Sequence, residues 1–292
     1  MLKQRILTAL VLIPLALYCI FFLSLNGFAI FALVALSIGA WEWSPLMGVR
    51  RLSGRIAYTV LVAALIAVLY VLAPINSLWS EQGLAQPMVV AISAGVIWWL
   101  AAILMVLNFP GSQRLWRRSR VYVGVFGVLV LVPAWAALIS IRALNYDLNP
   151  LFGAWTVLFI FVLVWAADVG AYAAGRAMGK HKMIPAVSPN KTIEGLCGGV
   201  VLAFVIMVLV AQLLPIPREL YVGFYSVGLA TVIVSVFGDL SESMFKRCAG
   251  VKDSGSILPG HGGVLDRIDS LTSALPVFVL GYLMLIHPAL AS

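Results

Sequence analysis

The chain has 292 residues, 63% of them hydrophobic and 10% charged, against about 25% charged in an ordinary soluble domain. A mean hydropathy of +1.06 with no long polar stretch excludes a soluble protein carrying a single anchor. In so apolar a chain, the net charge of +8 reads as topology signals and contact with anionic headgroups, not as a nucleic-acid surface.

A bilayer core takes about 20 apolar residues per helix. Nine candidate spans follow in chain order. Ile6–Leu23 comes after the basic start MLKQR. It reads as a retained span rather than a cleaved leader, because no small-x-small site is obvious and another apolar run comes at once. Gly27–Trp41 is short enough to be re-entrant. Then come Ile56–Leu72, Met88–Leu107, Val121–Ile141, Trp155–Ala174, Gly195–Leu214, Val222–Asp239 and Leu271–Ile286. The expected fold class is all-α, a polytopic transmembrane bundle of about nine spans.

With a cytoplasmic N-terminus, every Lys and Arg falls inside except Arg142 and Arg218. Losing any one span would scramble this asymmetry, so count and orientation support each other. The C-terminus is then outside, and the outside connections are 73–87, 142–150 and the Pro215–Leu220 turn. Residues 1–150 read as N-terminal scaffold helices. Residues 151–292 read as the catalytic transmembrane region, with cytoplasmic loops 175–195 and 240–270. Cys19, Cys197 and Cys248 form no CxxC pattern, which argues against a disulfide framework or a zinc site.

Eight of the 11 acidic residues lie in the inside segments or in span ends facing them: Glu42, Asp168, Glu194, Asp239, Glu242, Asp253, Asp266 and Asp269. Asp168 and Asp239 fall inside apolar runs, where a carboxylate is costly and marks function by default. If the eighth helix continues past Asp239, then Asp239, Glu242, Ser243 and Lys246 share one face at i, i+3, i+4 and i+7. The following loop carries Gly250, Gly255, Gly260, Gly262 and Gly263. Glycines let backbone N–H groups converge on an anion. Lys246, Arg247, Lys252 and Arg267 add positive charge, and Asp266 and Asp269 open the last span. Carboxylates, cations and glycines together suggest a divalent metal with phosphates, and hard oxygen ligands suit Mg²⁺. No Walker A sequence occurs.

The stretch Ser243-x-Phe245-Lys246-Arg247, Lys252-Asp253-x-Gly255, Leu258-Pro259-x-His261-Gly262-Gly263-Val264-x-Asp266-Arg267-Ile268-Asp269 resembles, position by position, the signature of phosphatidate cytidylyltransferases (CDP-diacylglycerol synthases). Ser188-Pro189-Asn190-Lys191-Thr192-Ile193-Glu194-Gly195 resembles the family's S-P-x-K-T-x-E-G element. Asp168, Tyr172, Gly175 and Gly179-Lys180 match its D-x-x-A-Y-x-x-G pattern. The similarity is sharp over about 165–270. Nearer the N-terminus only Glu42-Trp43 is similar.

The resemblance implies transfer of CMP from CTP to phosphatidic acid, giving CDP-diacylglycerol and pyrophosphate. It implies Mg²⁺, one or two ions, with room for a monovalent cation. Asp239 and Asp266 are then first choices as metal ligands, with Asp269 as a further acidic participant. Lys246, Arg247, Lys252, Arg267 and Lys191 would hold phosphates. Asp253 and His261 fall in the catalytic stretch, and His261 would contact phosphate. Ser188, Thr192 and Ser243 would bind substrate, Gly262 and Gly263 would approach the triphosphate, and Glu194 would orient Lys191 or bind metal through water. Asp168 and Tyr172, one helical turn apart, would line the site wall. A homodimer among membrane lipids, in a bacterial inner membrane with a cytoplasmic active site, completes the expectation.

Three other classes stay open at this point. A CTP-dependent polyprenol or dolichol kinase would leave CDP instead of pyrophosphate. An ion-coupled transporter would use Asp168 and Asp239, though such carriers more often show paired repeats with broken helices. A membrane scaffold would have no use for so many carboxylates held against the bilayer.

Overall fold

The computed structural model describes residues 2–214 and 216–288, with side chains from residue 7 onward. Pro215, at the head of the expected outside turn, and the side chains of Lys3 and Arg5 lie outside the described residues. The chain is helical almost throughout: α1 (Leu2–Phe22), α2 (Leu25–Leu46), α3 (Leu52–Leu72), α4 (Gln86–Leu107), the short α5 (Gln113–Trp116), α6 (Arg120–Arg142), α7 (Phe152–Met178), α8 (Ile193–Leu213), α9 (Tyr221–Ala249) and α10 (Leu265–Gly281). A π-helical turn, Tyr282–Ile286, extends α10, and a two-residue hairpin pairs Trp79–Ser80 with Gly83–Leu84. Among the described residues, eight helical segments are long and apolar enough to cross a membrane, and Leu7–Phe22 adds a shorter apolar helix. The all-α polytopic expectation of about nine spans therefore holds.

The helix boundaries differ from those that hydropathy suggested. The second span runs on from Trp41 to Leu46, carrying Glu42 inside it, so it is a full-length helix and not a re-entrant one. The last two helices also reach into the polar sequence: α9 continues to Ala249 and α10 begins at Leu265. Hydropathy stops where charges begin, but here the charges pair with each other across packed helices and need no loop.

Burial ranks the helices. About 72% of the most apolar window of α6 is buried, against 17% for α3 and 22% for α8, so α6 is the axis and α3 and α8 lie at the periphery of the bundle. Around it, α10 packs on α9, α6, α4 and α2. Pro133 of α6 would touch any Cβ placed at Gly95 of α4, where Pro276 of α10 also approaches. The closest pair is α7 with α8. Gly170, Gly198 and Gly199 let their backbones meet, since added Cβ atoms there would strike the facing backbone or Ala174. Small residues at such a seam are the usual means of helix association in lipid. One apolar core joins residues from α1 to α10, and a smaller one lies among α7, α8 and α9.

Candidate active site

Because α9 runs unbroken through this region, Asp239, Glu242, Ser243 and Lys246 do share a face. Ser243 Oγ donates to Asp239 Oδ1 at 3.2 Å. Lys246 Nζ lies 3.2 Å from Glu242 Oε1 and 2.7 Å from Asp266 Oδ1, bridging α9 to α10. One turn further along α10, Asp269 is an electrostatic neighbour of Asp239, Lys246 and Lys191. The two helices approach closely because Gly238 leaves no side chain between them: a Cβ there would strike Ser273 Oγ.

The 179–192 connection between α7 and α8 brings the other motif to the same place. A bridge between Lys182 and Thr192 closes it. Thr192 Oγ1 caps α8 by accepting from Gly195 N at 3.1 Å. Glu194 accepts the backbone N–H groups of Lys180 and His181 at 3.1 and 3.2 Å, and meets His181 Nδ1 at 2.6 Å. Thus fastened, the loop presents Lys191, whose Nζ sits 2.8 Å from Asp239 Oδ2 and 3.4 Å from Val236 O. Arg247 Nε donates to Val187 O at 3.3 Å and ties the loop to α9 a second time. Asp168 of α7 completes the group, with Lys191, Asp239 and Arg267 as electrostatic neighbours.

The 250–264 connection is organised by buried carboxylates. Gly250 ends α9 at φ +74°, a left-handed cap that glycine adopts without steric cost. Asp266, 8% exposed, accepts Ser254 N, Ser254 Oγ and Gly263 N at 2.9, 2.9 and 2.7 Å on Oδ2, while Lys246 occupies Oδ1. Gly262, at φ +83°, pairs with Leu258 and lies against that carboxylate. Glu42 of α2, 1% exposed, accepts Val264 N at 3.1 Å and Leu265 N at 2.8 Å.

The expected site residues thus fall into distinct environments. Asp168, Lys191, Asp239, Ser243, Lys246, Asp266 and Asp269 come together with Glu242. Arg247, Lys252, Asp253 and Arg267 are exposed, Arg267 as an electrostatic neighbour of Asp168, and His261 is half-buried. Ser188 is half-buried in the 179–192 loop. Thr192 and Glu194 spend their oxygens on capping and loop closure. Tyr172 is 67% exposed and receives a hydrogen bond from Arg176 Nη1 at 2.9 Å; with Asp168 it lines the cavity described below.

The metal expectation divides. Among the described residues no three His, Cys, Asp or Glu side chains form a cage. Asp266 carries Lys246 on Oδ1 and three donors on Oδ2, whereas Asp239 carries one partner on each oxygen, so Asp266 fits a fastener of the loop better than a ligand. Asp239 and Asp269 keep open lone pairs. Magnesium typically takes one or two carboxylates and leaves its other positions to water and substrate phosphates, and that donor set fits. Glu242 and Glu42 are the residues that the motif reading left out of the site. Glu242, 4% exposed, accepts no hydrogen bond among the described residues, and its one ion pair is with Lys246. Its i, i+4 spacing to Lys246 was visible; its burial was not.

A cavity of about 230 Å³ opens between α7, α8 and α9, lined by Asp168, Tyr172 and Lys191 together with Leu196, Val200, Val232 and Val236. Residues 3–285 match the model of the Cytidylyltransferase family. The chain belongs to that family. The match takes in the N-terminal helices, where the motifs alone carried little similarity. A Haemophilus influenzae protein named phosphatidate cytidylyltransferase is 41% identical over 287 residues, 97% of this chain and 99% of its own. One of the same name from Pseudomonas aeruginosa is 42% identical over 95% of this chain and 96% of its own. Another, from Bacillus subtilis, is 34% identical over 94% and 95%. The family resemblance read from Ser243–Asp269 is borne out, and with it a CTP-using nucleotidyltransferase built as an integral membrane protein.

Proposed function

We propose that the chain transfers CMP from CTP to phosphatidic acid, forming CDP-diacylglycerol and pyrophosphate in phospholipid synthesis. The observation that carries this reading is the pairing of Lys191 with Asp239 beside a cavity that is apolar along α8 and α9 and charged at Asp168 and Lys191. A lipid phosphate needs that combination: a cation for its headgroup and an apolar wall open to the bilayer for the glycerol esters.

In the reaction, an oxygen of the lipid phosphate bonds to the α-phosphorus of CTP, and the bond to the β-phosphate bridging oxygen breaks. A phosphate monoester is a competent nucleophile near neutral pH, so no strong base is required and positioning and charge neutralisation dominate. Lys191 would exchange its carboxylate partner for a phosphate oxygen, while Lys246, held between Glu242 and Asp266, fixes α10 against α9. Exposed Arg247, Lys252 and Arg267 would supply charge for the triphosphate. Gly262 and Gly263 leave the backbone open to close approach. Asp239 and Asp269 would hold Mg²⁺, which when bound supplies Lewis-acid stabilisation of charge on the phosphates.

The same reading has the site on the cytoplasmic side of a bacterial inner membrane and the chain as a homodimer. The segregation of basic residues supports the cytoplasmic side and the bacterial relatives support the inner membrane; the dimer follows from the resemblance alone. The test uses purified protein in detergent with Mg²⁺, phosphatidic acid and CTP labelled at the α-phosphate. Label entering lipid as pyrophosphate appears supports the reading. Label left in CDP, with phosphate moving to a lipid alcohol, would replace it with a kinase.

A further inference from the structure

Glu42 stands in the N-terminal part of the chain, yet its carboxylate is spent on residues more than two hundred positions away. Oε1 accepts Val264 N at 3.1 Å, Oε2 accepts Leu265 N at 2.8 Å, and Ser254 Oγ lies 3.4 Å from Oε2. These two N–H groups open α10. The first N–H groups of a helix have no partner within it, and Val264, at the cap position, supplies no side-chain bond. A carboxylate there also meets the positive end of the helix dipole. The 250–264 loop is moulded around this group: a Cβ at Gly255 would strike Glu42 Oε1, and one at Gly263 would lie against Oε2. Among the described residues no cation forms an ion pair with Glu42, and Arg55 is its electrostatic neighbour from α3. The next residue, Trp43, anchors the same turn of α2. Its ring packs on Phe245 of α9 at 5.1 Å and its Nε1 donates to Val123 O at 2.8 Å.

We infer that Glu42 is a positioning residue: it caps α10 from a distant helix and so holds Asp266, Asp269 and the glycine loop in register with Lys246 and Asp239. It touches no substrate. Its effect runs through Leu265 and Ser254, both adjacent in sequence or by hydrogen bond to Asp266. A glutamine at this position keeps the size but turns a donor toward the N–H groups of Val264 or Leu265.

The test compares wild type and Glu42→Gln as full-length protein in detergent, by hydrogen exchange and by steady-state kinetics on correctly folded material. Amide exchange at Val264 and Leu265 is expected to speed up by about ten- to a hundredfold, because charged hydrogen bonds are lost, while α6 and α7 keep their protection. A displacement of about 1 Å in the site lowers kcat by about a hundredfold. The kinetic arm rests on the function proposed above; the exchange arm does not, so the two can fail separately. Gly255→Ala, which pushes the carboxylate away without changing the sequence of α2, is expected to reproduce both effects if Glu42→Gln does not insert. Unchanged exchange at Val264 and Leu265 would overturn the inference. So would a uniform loss of protection throughout the bundle in both variants, which would make Glu42 a residue of the fold at large.

Discussion

The two loops of the site look alike in sequence and are built by different means. Both 179–192 and 250–264 contain glycine, lysine and a proline between two apolar helices. The first is closed locally: Thr192 and Glu194, at the start of α8, hold the turn from within 15 residues. The second is closed by Asp266, on the helix that follows it, and by Glu42, 222 residues from Val264. A locally closed loop is free to offer its lysine to a partner, and Lys191 does so at Asp239. A loop wrapped around buried carboxylates is fixed in shape and offers backbone. The site therefore joins an exchangeable cation to a rigid cradle.

This contrast is sharpened most by Asp266→Asn. Lys246 loses its 2.7 Å partner but keeps Glu242, and the donors of Ser254 and Gly263 lose a charged acceptor, so stability should fall by about 1–3 kcal/mol, as for weakening buried hydrogen bonds to a charged group. A thermal melt in detergent would show it, with turnover lost at the same time. Asp239→Asn should leave the melt within about 1 kcal/mol, because its side chain is 32% exposed and an exposed pair contributes little. Turnover should nevertheless drop about 100- to 1000-fold, as when a transition-state charge partner is removed. Lys191→Met should raise KM for phosphatidic acid more than it lowers kcat, if Lys191 holds the lipid phosphate in ground and transition states alike. Glu194→Gln should loosen the 179–192 turn, seen as faster exchange at Lys180 and His181, with the 250–264 loop unaffected. Arg50→Gln, on the exposed connection before α3, should change stability by no more than about 0.5 kcal/mol and leave turnover alone. A large effect at Arg50 would mean that its charge does more than orient the chain.

The spans were legible because lipid imposes one requirement, about 20 apolar residues with all backbone groups bonded internally. Their ends were less so. Residues 240–249 and 265–270 carry charges and are still helical, since Lys246 of α9 pairs with Asp266 of α10 and with Glu242 one turn back. The shared face of Asp239, Glu242, Ser243 and Lys246 could be seen from helical spacing alone. That Lys191 meets Asp239 could not, because no periodicity links a loop residue to a helix it does not join. Glu42 was visible as an acid at the end of an apolar run and, with Trp43, as a two-residue family similarity, neither of which points to its partners. Its partners are backbone N–H groups, which leave no trace in side-chain identity, and the glycines that admit it, Gly255 and Gly263, read as ordinary loop residues. Asp266 carried the motif's acidic character, while its five hydrogen-bonding contacts became evident only in three dimensions.

The most direct test of the account sets wild type beside Asp239→Asn, both shown to be folded by the same melt, with Mg²⁺, phosphatidic acid and CTP labelled at the α-phosphate. Label is expected in the wild-type lipid fraction and almost none with Asp239→Asn. Labelling of lipid by Asp239→Asn at the wild-type rate would contradict it and place the chemistry elsewhere in the bundle.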